Sequence, residues 1–142
     1  MTRDNLTKPH WLFWVVCIIA LLWNVAGSAN YLMQTNASNV ANMPQTYQAF
    51  IETRPAWATA AFAITVFAAV IGCILLLLKR YSAMLLFVIS TIALMFVSIH
   101  AAIFVNANPS YTSIILGVGT SVLVALFLLW FTKFSKNKNW IG

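Results

Sequence analysis

Four uninterrupted apolar runs, each about as long as a helix must be to cross a bilayer, constrain this chain more than any other feature. A hydrocarbon core about 30 Å thick is spanned by about 20 helical residues rising about 1.5 Å each. The runs from Trp11 to Met33, Ala56 to Leu78, Ala83 to Val105 and Tyr111 to Thr132 meet that requirement. They are continuous, without the polar alternation of a barrel strand, so helices are expected. The links Lys79-Arg80-Tyr81-Ser82 and Asn106-Ala107-Asn108-Pro109-Ser110 are so short that the second, third and fourth helices are expected to be antiparallel neighbours. The expected fold is therefore all-α: one membrane domain over residues 1–142, an integral membrane four-helix up-down-up-down bundle. The longer first loop, 34–55, places Met43, Tyr47, Phe50 and Ile51 at helical spacing. It reads either as a short amphipathic helix on the membrane surface or as an ordered loop.

Composition agrees and narrows the function classes. With 62% hydrophobic and 7% charged residues, the chain lies outside the range of soluble domains, and the gaps between runs are too short for a soluble catalytic unit. The net charge of +6 does not imply nucleic-acid binding, which needs basic residues gathered on one polar face. Here Arg3, Lys8, Lys79, Arg80, Lys133, Lys136 and Lys138 fall at one side of the spans and only Arg54 at the other. Because Lys and Arg accumulate on the cytoplasmic side, both termini are expected inside. The first run outlasts the 7 to 15 residues, roughly, of a signal-peptide core and resumes with Tyr31-Leu32-Met33, so it is read as a retained span.

Membrane helices attract one another through close packing, which small residues permit. Gly27 on the first span, Ala61, Thr65 and Gly72 on the second, and Gly117 and Ser121 on the fourth mark the expected packing faces, the last two within a ladder with Ser113 and Ala125. Asn24 and His100 stand apart, because a multiply hydrogen-bonding side chain deep in a bilayer is costly unless paired. His100 lies about 7 Å and Asn24 about 14 Å inside the outer ends of their helices. Together with Asn30, Tyr31, Thr59, Ser98 and Ser113 they form a polar set toward the outer half, while the inner segments are almost wholly apolar apart from Cys17 and Cys73. His100 reads either as a functional group or as a neutral imidazole bonded to a neighbour. The two cysteines are expected at similar depth, close together, as free thiols.

No catalytic constellation can be assembled. The acids are Asp4 and Glu52 alone, and no paired carboxylate, metal-ligand cluster, phosphate loop or nucleophile elbow occurs, so neither an enzyme nor a cofactor or metal is expected. The expected partners are membrane lipid and either further copies of the chain or another membrane protein.

The run Leu22-Trp23-Asn24-Val25-Ala26-Gly27, the segment Glu52-Thr53-Arg54-Pro55-Ala56-Trp57 and the Ala/Phe/Gly-rich helix closing at Leu78-Lys79-Arg80 resemble a family of small four-span bacterial inner-membrane proteins, some loosely labelled sugar transporters. The resemblance implies a bacterial inner membrane and the topology above, and supplies no binding residues. Three roles stay open: a non-enzymatic accessory or interaction subunit, a small-solute transporter acting as an oligomer, and an outward-facing sensor of a small molecule or lipid.

Overall fold

In a computed structural model of the chain, residues 5–142 are described; Arg3 of the basic set and Asp4 lie outside them. The elements are α1 (Trp11–Gln34), α2 (Ala37–Ala41), α3 (Gln45–Glu52), α4 (Ala56–Leu77), α5 (Ala83–Ala107), a 3-10 turn (Pro109–Tyr111) and α6 (Thr112–Asn137), with no strand among the described residues. The helices α1, α4, α5 and α6 are long and apolar enough to cross a membrane.

Local chemistry sets the ends. Pro44 and Pro55 occupy the N-cap positions of α3 and α4, where a missing backbone N–H costs nothing. The N-cap of α1 is His10, whose ring nitrogen accepts from the Leu12 N–H at 3.3 Å. Both α4 and α6 close with a residue in the left-handed region, Lys79 at φ 57° and Asn139 at φ 55°. In each, the next N–H returns to the last turn: Arg80 to the Leu75 carbonyl at 2.9 Å, Trp140 to the Ser135 carbonyl at 3.0 Å. Helix α6 runs past its expected end at Thr132, because Thr132 and Ser135 are buried and continue its packed face. Helix α2 is not announced by any apolar periodicity; it forms because Asn36 caps it, accepting from the Ser38 N–H at 3.0 Å and the Ser38 hydroxyl at 2.7 Å.

The long helices pack in series: α1 on α4, α4 on α5, α5 on α6. The α4–α5 seam is the tightest. At Gly72 an added Cβ would lie 2.7 Å from the ring of Phe87, itself buried, and two turns away the Ser90 hydroxyl donates to the Thr65 carbonyl at 2.7 Å. Helix α1 approaches α4 at Gly27, where a Cβ would meet Val66 at 3.5 Å. Ala61 of α4 is buried with Leu94 and Val97 of α5, and Val122 and Ala125 of α6 pack on the same cluster.

At the end carrying Lys8, Lys79, Arg80 and Lys133, called here the basic end, all four long helices converge. Phe13, Cys17, Cys73, Leu76, Phe87, Leu128, Phe131 and Ile141 form one buried cluster, in which both cysteines are free thiols, as expected. The segment after α6 folds back across this end. Gly142 donates to the Lys79 carbonyl at 3.0 Å and accepts from the Tyr81 N–H at 2.8 Å, while the Thr7 N–H donates to the Asn139 carbonyl at 2.9 Å. Lys136 lies 3.6 Å over the Tyr81 ring.

Gly72→Ala is expected to destabilise the protein by about 1–3 kcal/mol, since the Phe87 ring must move within a filled core. Gly119→Ala is expected to be neutral or slightly stabilising, because a Cβ there meets nothing within 4 Å and alanine favours helix. Thermal unfolding of the two variants in detergent checks the contrast. Equal effects would contradict the seam.

Candidate functional site

At the opposite end, which carries the α1–α4 loop and Arg54, the helices diverge. Helices α1 and α6 meet at the basic end, where Phe13 stacks on Phe131 with centroids 5.8 Å apart, but form no backbone interface comparable to the others. The space left between the four long helices is a cavity of about 250 Å³. Its floor is Phe87, Val124 and Leu128, directly above the Phe13–Phe131 stack; its walls include Val66, Ala69, Leu94 and Val118; its mouth is Asn30, Gln34, Tyr47, Phe50 and Arg54.

The walls carry hydroxyls whose protons are already committed. Thr65 donates to the Ala61 carbonyl at 2.9 Å, Thr91 to Phe87 at 2.7 Å and Ser121 to Gly117 at 3.2 Å, each within its own helix, and Ser90 donates across to Thr65. Toward a ligand these oxygens are acceptors only. Asn24 is half-buried on the wall and donates to the Ala20 carbonyl at 2.8 Å, with its amide nitrogen 3.6 Å from the Cys73 sulfur.

The mouth is different in charge. Arg54, in the short link between α3 and α4, donates from Nη1 to the Gln34 side-chain oxygen at 2.9 Å and from Nε to the Thr59 hydroxyl at 3.2 Å, and its guanidinium lies 5.4 Å from the Phe62 ring centroid. It thereby ties the end of α1 to the start of α4. Burial pushes its pKa below the ordinary arginine value, with Tyr31 acting the other way, and the group stays charged.

Of the expected polar set, Asn24 and Asn30 line the cavity. Thr59 reaches it only through Arg54. Tyr31 lies edge-on to Phe62 and Phe67 at 5.5 and 5.8 Å, and so belongs to the α1–α4 packing. Ser98 donates to its own helix at the Leu94 carbonyl, 2.8 Å away, and Ser113 is exposed. His100 is buried, as expected of an inward-facing group, but the expected hydrogen bond is not formed: Nδ1 has no partner, and the ring is packed against Phe50 at 5.0 Å and Trp57 at 6.1 Å. The cause is α3, whose buried Phe50 occupies the place where a polar partner would stand and also contacts Phe104.

The packing set divides as well. Gly27, Ala61, Thr65 and Gly72 lie at helix contacts, whereas Gly117 does not: a Cβ there meets nothing within 4 Å, and with Ser121 it lines the cavity. The expected α6 ladder is thus an open wall over part of its length, because α1 is too far away at that level to close on it. Residues that reasoning from sequence passed over are Gln34, Arg54, Ser90 and Thr91. The available signal was Arg54, the one basic residue placed away from all the others.

No family model matches the chain, and no curated protein or solved structure is similar to it.

A buried imidazole nitrogen without a partner stabilises nothing, so His100→Leu is expected to leave the thermal midpoint unchanged or raise it. Phe50→Ala, which removes the side chain covering His100 and unseats α3, is expected to cost about 3 kcal/mol. Unfolding in detergent, with limited proteolysis in α3 as a second readout, checks both.

Proposed function

We propose that this is a non-enzymatic integral membrane protein of the bacterial inner membrane, four helices running up-down-up-down with both termini cytoplasmic, and that it serves as a ligand-holding accessory subunit opening to the outside. Four observations support the membrane setting: the four long apolar helices, the large hydrophobic side chains exposed along them, such as Ile19, Leu85, Leu116 and Leu123, the gathering of basic residues at one end, and the proline-started helices at the other. The pairs Thr65–Ser90 and Gly72–Phe87 step up one helix as they step down the next, which supports the alternating direction of α4 and α5.

The observation that carries the functional reading is the shape of the cavity. It is open where Arg54 lies and blocked at the basic end by the stacked Phe13 and Phe131 over a buried apolar cluster. A solute path needs polar groups along its whole length, and a coupled carrier needs an ionisable relay within the spans. Neither is supported within one copy, and a dead-ended pocket suits binding better than passage.

Three measurements test the proposal. Reporter fusions after Arg80 and Gly142 are expected to be active inside, and one after Ser110 outside. Protein reconstituted as a monomer in sealed vesicles is expected to give no saturable uptake of labelled sugars, with or without a proton gradient. Mass spectrometry of protein purified gently from native membranes is expected to find a bound small molecule or lipid that is depleted in Gly117→Phe, where the new ring has open space to enter. Equal ligand content in both would remove the cavity from the reading.

A further inference from the structure

We propose that the cavity takes an amphiphile with an anionic head, the head at the Arg54 guanidinium and one acyl chain passing down the apolar walls and out between α1 and α6. The inference rests on the cavity being a binding site, and adds the chemistry of its ligand.

A guanidinium offers five N–H donors in a planar fork that matches a carboxylate or phosphate. Two are used at Arg54, both on neutral oxygens, those of Gln34 and Thr59. The remaining three stand at the cavity mouth beside a cation that is partly withdrawn from water and has Phe62 near its ring face. An anion there gains charge-assisted hydrogen bonds, which are about twice as strong as neutral ones. Deeper in, the same anion would meet hydroxyl oxygens with their protons turned away, so its place is fixed at the mouth. A cationic head is disfavoured by the same guanidinium.

Below the mouth the lining is mainly hydrocarbon. Val66, Ala69, Leu94, Val124 and Leu128 stand among the hydroxyls of Thr65, Ser90, Thr91 and Ser121, whose protons are spent within the protein, and the floor at Phe87 permits no passage. A cavity of about 250 Å³ has room for a head group and the first part of one chain. The rest of the chain leaves sideways, where α1 and α6 stand apart and Trp23 and Gly117 edge the opening. Fatty carboxylates and single-chain phospholipids share this chemistry.

The test uses the full chain in a neutral detergent and three probes carrying one spin label at the chain terminus: palmitate, lysophosphatidylglycerol and an uncharged monoacylglycerol. Either anionic probe is expected to bind about tenfold more tightly than the uncharged one, and which of the two does so identifies a free fatty acid or a phospholipid as the source. Arg54→Gln, which keeps hydrogen bonding to Gln34 and Thr59 without the charge, is expected to bring the anionic probes to the level of the uncharged probe while leaving the latter unchanged. Should Arg54→Gln lose the uncharged probe as well, Arg54→Lys decides, and must keep the preference for the anionic head. Equal binding of charged and uncharged probes by the unaltered protein, or a preference that survives Arg54→Gln, overturns the assignment of the head while leaving the cavity reading intact. No binding of any probe, or binding indifferent to Gly117→Phe, overturns both.

Discussion

The α4–α5 seam governs the rest of the structure. Where apolar surface is surrounded by lipid, helices gain nothing from hiding it and hold together only by contact between well-fitted surfaces and by hydrogen bonds. The seam supplies both, through the Phe87 ring lying on Gly72 and through the Ser90–Thr65 hydrogen bond. With α4 and α5 fixed as a central pair, α1 is placed by its contact with α4 at Gly27 and α6 by its contact with α5 at Leu94 and Val97. The two outer helices are thus never required to touch each other. They do so only where Phe13 and Phe131 are large enough to bridge the gap. Above that level α6 presents Gly117 and Ser121 to the gap, too small to reach α1, and the wedge between the helices is the cavity.

The four long helices were legible in the sequence because continuous apolar length is a local property, readable without knowing what any residue touches. Their packing faces were half legible. Periodicity tells which residues share a face but not what stands opposite: Gly27, Thr65 and Gly72 lie at helix contacts, whereas Gly117 and Ser121, of the same residue types and spacing, border open space. His100 illustrates the same limit. Its burial followed from its chemistry, but the neighbour that covers it, Phe50, comes from a loop helix far away in sequence. The fold-back of Trp140, Ile141 and Gly142 onto the Lys79–Tyr81 turn was invisible for a further reason, since its hydrogen bonds are backbone ones that any sequence could make, and the site that buries Ile141 is assembled from helices far apart in sequence.

Arg54 shows how a single residue can serve two levels of structure. As a structural group it bridges Gln34 and Thr59 and so fixes the separation of α1 from α4 at the mouth. That role could be filled by a neutral donor at a smaller desolvation cost. A charge in this position is disfavoured by partial burial. That penalty falls if an anion shares the site, because the pair is then neutral as a unit and the guanidinium's remaining donors are satisfied.

The cavity also bears on what keeps the protein stable. A void in a protein core costs stability in proportion to its volume, and the part of this cavity below the mouth, left dry and empty, would do the same. Collapse would remove that cost, but it is opposed by Gly72 and Phe87 holding α4 to α5 and by the Arg54 bridge holding α1 off the bundle axis. Filling is the remaining route. Water can fill the polar mouth but gains little beside Val66, Leu94 and Leu128, where it finds few partners. Hydrocarbon can fill the lower part and restore the dispersion contacts that the void removes. An arrangement that satisfies both halves is a molecule with a polar, negatively charged end and an apolar end; such an occupant and the fold would stabilise each other, and removing it should loosen α1 and α6 before it disturbs the α4–α5 pair.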